Sequence, residues 1–553
     1  MEIGFKNAPG CIRGAAPHYS TLMNLHGKSF IGGALSAGTG ETVRAISPLD
    51  GQPLEPAFHA AGAAEVDAAM EEAEAAFAAY RETTGEQRAA FLERIAGEIL
   101  ALGDDLIRRA HAETGLPEAR LTGERGRTVN QLQLFAGVAR EGTWVDARID
   151  PAEPNRPPAP RPDLRRMLMP LGPVVVFGSS NFPLAFSVAG GDTASALATG
   201  NPVVVKAHSG HPGTSELVAS AVRRAVVACH LPAGIFSMLQ GSGRVIGGAL
   251  VRHPFARAVG FTGSRAAGRA LFDAAAARPD PIPVFAEMSS LNPVFLLPGA
   301  VRERGAKIAA GLRTSMTLGV GQFCTKPGLV FGVAGAELDQ FKQCLAGLLA
   351  AVEPATMLHA GICESYHHGL ARSAAVAGVK LLARSSAAAD ATQTQGESVV
   401  LQTDAANFRM HPELAEEVFG PFALIVAAAA PAELEEVARG LEGQLTATVH
   451  GTPADLHQAA GLVRVLERKA GRLIINAFPT GVEVCPAMNH GGPYPATTDA
   501  RFTSVGTAAL QRFVRPVCYQ DFPAALLPAA LRDENPLGLW RLVNGRLTKD
   551  ALG

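Results

Sequence analysis

The runs PVVVF at 173–177 and PVVVK at 202–206 are unbroken apolar segments of strand length, each opened by a proline and followed by a helical pattern. A strand with one wet face would alternate apolar and polar residues, so continuous apolarity means that both faces are covered. With SVAGGDTASALATG between the two runs, and TSELVASAVRRAVVACH and IFSMLQG after them, the chain reads strand, helix, strand, helix, strand. That order predicts a parallel sheet with helices on both sides. A second alternation starts near residue 285 with NPVFLL, RERGAKIAAGLRTSM, GLVFGV and ALIVAA. The fold class is therefore α/β with two such layers, and 553 residues are enough to build them.

The flanks are different. Residues 63–140 are rich in Ala, Glu and Arg with helical periodicity, and PAEPNRPPAPRPDLRRMLMP is a Pro- and Arg-rich linker or an arm crossing to a neighbour. Residues 372–393 are Ala- and Ser-rich and read as peripheral. The segment from Met167 to Gly191 carries no charge and is long enough to span a bilayer. Pro170, Pro173 and Pro183 interrupt any helix there, and Ser179, Ser180 and Asn181 place polar groups in its middle.

Lys plus Arg total 49 against 51 Asp plus Glu, so no long-range field draws the protein to nucleic acid or to an anionic membrane. A small molecule is the expected partner. The seven cysteines form no CxxC pair, no metal-ligand spacing is present, and the first twenty residues lack the apolar core of a signal peptide. Free thiols in a cytoplasmic protein are expected.

One of those thiols sits oddly. GVGQFCTKPG places Cys324 on a turn framed by Gly319, Gly321 and Gly328, although a free cysteine is usually a small buried hydrophobe. GSGRVIGG at 241–248 and GFTGSRAAG at 260–268 each follow a strand pattern and open a helix, where small residues let backbone approach phosphate, yet neither is a GxGxxG. Asn181 in SSNFPL, Glu287 after the apolar run PIPVFA and Glu417 in EEVFGPF also stand out. Glu287 is expected to be partly desolvated, which raises a carboxyl pKa toward the range of a general base; a strand-end carboxylate bonded to backbone is the alternative.

SSNFP, PVVVKAHS, GFTGS, AEMSS, GQFCTKPG and EEVFGP follow one another in the order and at the approximate separations of the aldehyde dehydrogenase superfamily, which the chain resembles from about residue 25 to its end. GGPYPATTDARFTSVGTAALQRFVRPVCYQDFP and NPLGLWRLVNG resemble the NADP-dependent α-ketoglutarate semialdehyde (2,5-dioxovalerate) dehydrogenase type. The resemblance implies a Rossmann-like cofactor domain over 26–147 and 171–285 and an α/β catalytic domain over 286–495. It also implies a small β oligomerisation arm from 148–170 and 496–515, with an N-terminal extension at 1–25 and a C-terminal tail at 516–553. A homodimer or homotetramer follows from the arm.

Carried onto this chain, the resemblance makes Cys324 the nucleophile toward an aldehyde, with the Asn181 amide and the Cys324 N–H holding the oxyanion and Glu287 activating the hydrolytic water. Lys326 is expected to be solvated. Glu417 would bond the nicotinamide ribose beside Phe419, and GFTGS with Gly263 would lie beside the diphosphate, with Thr262 and Ser264 near the nicotinamide end. Lys206 would meet the adenosine ribose. Ser209 replaces the glutamate common in NAD-preferring members, and Arg244 adds a cation, so NADP is expected and NAD is the weaker alternative. AEMSSLNP departs from the commoner ELGGKNP, and the two serines are bulkier than glycine.

For the substrate, Arg127 and Gln131, one helical turn apart, could share a face and meet a distal carboxylate, as α-ketoglutarate semialdehyde would require. An Arg127 engaged in a surface ion pair would instead leave Phe135, Phe186 and Phe323 as an apolar tunnel for a medium- or long-chain aldehyde. A cofactor-binding protein that lacks hydride transfer is the reading from another class.

Overall fold

The Val174–Phe177 and Val203–Lys206 strands lie side by side and parallel, as their unbroken apolar character requires. In the computed structural model, which describes residues 25–38, 40–390 and 393–552, they occupy the middle of a seven-stranded sheet. Its order is Val284–Glu287, Ala258–Thr262, Val174–Phe177, Val203–Lys206, Phe236–Leu239, Ser29–Ile31 and Ala34–Ser36. Val174, Val176, Val203 and Val205 point into one apolar cluster, while Val175, Val204 and Val259 point into another. Both faces are thus dry. The helices Gly85–Ala101, Glu118–Glu141 and Pro212–Ala228 supply much of the first cluster.

A second seven-stranded sheet runs Lys380–Arg384, Val399–Asp404, Phe422–Ala428, Leu329–Val333, Val294–Leu296, Gln444–His450 and Ala470–Ile475. All of its pairings are parallel except the first. Phe295, Phe331 and Leu424 face one core, and Val294, Val330 and Ile425 the other. A third, five-stranded sheet joins Leu164–Pro170 to Val514–Gln520, Arg148–Asp150, Arg541–Val543 and Arg546–Thr548. Among the described residues no helix is long and apolar enough to cross a membrane. But for Leu25, the extension expected at 1–25 lies outside the described residues.

Two expectations need correction. Of SVAGGDTASALATG, read as a helix, only Gly191–Ala198 is one: the buried Glu124 carboxylate accepts the N–H groups of Leu184 and Ala185 and holds the residues before it in turns. The strand paired with Leu164–Pro170 is Val514–Gln520, which runs past the expected arm boundary at 515. The preceding Thr507–Phe513 is a buried 3-10 turn, anchored by an Arg512–Asp192 ion pair of 2.7 Å and by Phe513 in the core. Inward anchors every few residues keep this segment out of the sheet.

Candidate active site

Phe177, Lys206, Thr262 and Glu287 end four strands of the first sheet on the same side, where an open α/β sheet leaves a crevice. A cleft of about 420 Å³ occupies this place. It brings together Asn181, Lys206, Gly263, Ser264, Glu287 and Cys324, and Glu417 and Phe419 reach it from the second sheet's side. Ser209 and Arg244 are exposed and lie outside its lining.

Cys324 owes its position to a contorted turn. Gly319, Val320 and Gly321 all have positive φ, and a Cβ at Gly321 would stand 2.3 Å from the Gly420 carbonyl oxygen. Asn292 Nδ2 donates to the carbonyls of Cys324 (2.8 Å) and Lys326 (3.0 Å), pinning the loop from behind. Among the described residues the Cys324 N–H donates to nothing.

Cys324 Sγ lies 3.4 Å from His490 Nε2, and that same nitrogen lies 3.1 Å from Glu287 Oε1. Ser504 Oγ donates to Glu287 Oε2 at 2.8 Å. Burial pushes the Glu287 pKa up, but the His490 imidazole and the hydrogen bonds from His490, Ser504 and Cys324 outweigh it and hold the carboxyl below its usual range. The raised value expected from the sequence is therefore reversed. Cys324 goes the other way: burial, then the Glu287 charge and hydrogen bond, push its thiol well above the ordinary range, and Arg127 only partly counters them. Such a thiol needs a proton acceptor. His490 stands where that acceptor must be. Its only mark in the sequence is NHGG, a histidine in a glycine turn, and it was not among the expected site residues.

Asn181 is buried; its Nδ2 donates to the Gln322 carbonyl at 3.1 Å, and its own carbonyl accepts from Arg120 Nη2 at 2.7 Å. The second amide hydrogen remains available beside Cys324. Lys326 is not solvated as expected. Only 2% of it is exposed, and Nζ donates to the carbonyls of Val418 and Phe422 at 3.2 and 2.9 Å. Burial lowers its pKa to about 8 and raises that of Glu417 to about 7, each moderated by the other's charge. The serines of AEMSS are used: Ser289 bonds the Glu417 carboxyl, and the buried Ser290 hydroxyl meets Asn292, Gln444 and the Leu445 N–H.

The Aldehyde dehydrogenase family model matches residues 35–494. The chain belongs to the aldehyde dehydrogenase family. It is 55% identical over 525 residues to alpha-ketoglutaric semialdehyde dehydrogenase 2 of Azospirillum brasilense, covering 95% of this chain and 100% of that one. Identity to alpha-ketoglutaric semialdehyde dehydrogenase of Acinetobacter baylyi is 48% over 526 residues, with 95% and 99% covered. A 3,6-anhydro-L-galactose dehydrogenase solved in complex with NAP shares the fold, with a TM-score of 0.76 at 23% identity and 89% and 99% of the two chains covered.

As an aldehyde dehydrogenase, the protein uses a nicotinamide dinucleotide, and the cleft fits one. Lys206 is 6% exposed, and no carboxylate or carbonyl among the described residues pairs with its amine. Burial alone lowers its pKa to about 8. A buried cation without an internal partner is costly, and a polyanion satisfies it. Gly243 keeps the approach open, since even a Cβ there would stay 3.8 Å from Lys206 Nζ. Ser264 caps the helix Arg265–Ala276, whose N-terminus faces the cleft as a site for phosphate oxygens.

The residues expected at the aldehyde end divide. Arg127 is in no ion pair among the described residues: its guanidinium stacks on Phe182 and Phe186 at 5.5 and 5.3 Å, and its Nε and Nη2 are buried without hydrogen-bond partners. Phe182 meets Phe186 and Phe323 at 5.3 Å each. Gln131 turns away and is buried against the 185–191 turn, its amide reaching toward the Ala185 carbonyl at 3.5 Å. Phe135 belongs to the core under the first sheet, not to a tunnel.

Proposed function

We propose that the protein oxidises α-ketoglutarate semialdehyde to 2-oxoglutarate with NADP as cofactor, through a thiohemiacetal and then a thioester on Cys324. The observation that carries this reading is the meeting of thiol, imidazole and carboxylate within 4.8 Å beside a cleft that a partnerless buried lysine also lines.

Chemistry starts with the thiol. His490 Nε2 passes its own proton to Glu287 Oε1 and takes the Cys324 proton in exchange, after which the carboxyl loses that proton to solvent. The sulfur adds to the aldehyde carbon. The Cys324 N–H and the Asn181 amide hold the oxyanion, each contributing about 3 kcal/mol. A bound dinucleotide supplies the hydride acceptor. Glu287, kept ionised by its donors, then takes a proton from the water that hydrolyses the thioester.

Three features support the finer reading. Both high-identity relatives carry the semialdehyde in their names. The unpaired, buried hydrogen-bond donors of Arg127 suit a distal carboxylate, and its charge acts on Cys324. Near Lys206, Ser209 presents no carboxylate to repel a 2'-phosphate, and Arg244 is exposed and in no ion pair among the described residues. The Phe182, Phe186 and Phe323 cluster favours a second reading, an apolar aldehyde.

The first sheet with its helices then serves as the cofactor domain, the second sheet as the catalytic domain, and the third as an assembly arm. The edge strand Ala470–Ile475 exposes Leu473 and Ile475, and an open edge of this kind suits pairing with a second copy in a dimer or tetramer. The deciding experiment is a panel of aldehydes with and without a distal carboxylate, each assayed with NAD and NADP. Equal rates for apolar and carboxylated aldehydes would reject the semialdehyde, and a preference for NAD would reject the cofactor.

A further inference from the structure

Cys324 Sγ, His490 Nε2 and a Glu287 oxygen form a triangle of 3.4 Å and 3.1 Å edges about the nitrogen, all three atoms within 4.8 Å of one another. A tetrahedral zinc ion, with Zn–S about 2.3 Å and Zn–N and Zn–O about 2.0–2.2 Å, holds neighbouring ligand atoms roughly 3.3–3.6 Å apart. The two edges at the nitrogen come within a few tenths of an ångström of that, and the sulfur–oxygen edge, bounded at 4.8 Å, closes to it by side-chain rotation. We propose that Cys324, His490 and Glu287 form a binding site for Zn²⁺, whose occupancy reversibly switches the enzyme off by sequestering its nucleophile.

The donor set suits this ion. Thiolate, imidazole and carboxylate are all zinc ligands, and three protein ligands leave a fourth position for water. Cys324 and Glu287 both line the cleft, which gives the ion a route in and the water a place. Thiolate and carboxylate together bring two negative charges, which a dication cancels, so the occupied site is neutral where the ionised pair alone repels itself. Binding exchanges one bond for another without redox change: the S–H bond breaks, its proton leaves to solvent, and an S–Zn bond forms. Outer partners are in place too. Ser504 holds Glu287 Oε2, which leaves Oε1 for the metal, and the His490 backbone N–H donates to Thr503 Oγ1 at 2.8 Å, anchoring the turn that carries the imidazole. This site stands on the geometry alone and is independent of which aldehyde is oxidised.

The test uses the full chain, reduced and stripped with a chelator. Titration with Co²⁺ should give a sulfur-to-cobalt charge-transfer band that saturates at one ion per chain and is abolished by Zn²⁺. Cys324→Ser should lose the band, and His490→Gln should weaken binding at least about tenfold. On the unmodified protein, one equivalent of Zn²⁺ should slow alkylation of Cys324 by iodoacetamide at least about tenfold, with chelator restoring the rate. Undiminished Zn²⁺ affinity in Cys324→Ser would overturn the proposal by placing the ion elsewhere, for instance at the adjacent His367 and His368. Unslowed alkylation at saturating Zn²⁺ would overturn it as well. A protein that shows the band but ignores the semialdehyde loses only the substrate reading, and one that oxidises the semialdehyde without the band loses only this site.

Discussion

Glu287 and His490 stand 203 residues apart in the chain and 3.1 Å apart in space, each side chain no more than 2% exposed. The contact sets two pKa values in opposite directions. It helps keep the Glu287 carboxyl ionised despite burial, and that retained charge raises the Cys324 thiol. A resting enzyme with a protonated thiol and an ionised base follows.

Glu287→Gln should therefore change two rates in opposite senses. Removing the charge lets Cys324 ionise more readily, so its alkylation by iodoacetamide at pH 8 should quicken. Turnover should fall by about 10²-fold or more, because water loses its general base. Slower alkylation in the variant would contradict the assigned electrostatics.

His490→Gln should slow formation of the acyl-enzyme, read as the pre-steady-state burst, by about 10²-fold near neutral pH. Since the thiol must then ionise unaided from a raised pKa, the burst rate should climb with pH toward and beyond 9. A variant whose burst is as fast as the parent's would remove His490 from the reaction.

Lys206 should make cofactor affinity pH-dependent. Its amine is a cation below its folded pKa of about 8 and neutral above it. A phosphate-bearing ligand prefers the cation, so KM for NADP should be lowest below pH 8 and rise as pH passes through that value. Lys206→Met should raise KM and flatten the profile, which initial rates across pH 6.5–9.5, a range of roughly ±1.5 about that pKa, would show.

Arg127→Met should separate the two substrate readings. A hydrogen-bonded charge contact is worth about 1.5–3 kcal/mol, so kcat/KM for the carboxylated semialdehyde should drop roughly 10- to 100-fold. An unbranched apolar aldehyde should change less than about threefold. An equal loss on both would make Arg127 a packing residue.

Much of this protein is legible along the chain. Unbroken apolar runs determined the parallel centres of the two large sheets, since only strands covered on both faces tolerate them. The order of six short motifs sufficed for the family, and Cys324 was conspicuous because a glycine turn is a poor place to pack a cysteine. Local patterns misled where burial was decided from far away. Lys326 reads as a surface lysine, yet the carbonyls of Val418 and Phe422 receive it. Gln131 reads as Arg127's neighbour on one face, yet it lies under the 185–191 turn. FTSVGTAALQRFV reads as a strand, yet Arg512 and Phe513 pull it inward.

By itself, then, the sequence determined which segments become strands and helices, which family they build, and which thiol is set apart. These are properties of neighbours along the chain. Only the tertiary structure decided that His490 joins that thiol to Glu287, and so which groups hold protons at rest. The contacts responsible span 166, 203 and 217 residues. The free energy of a buried proton depends on the charges and donors that folding gathers around it, and no local pattern records them.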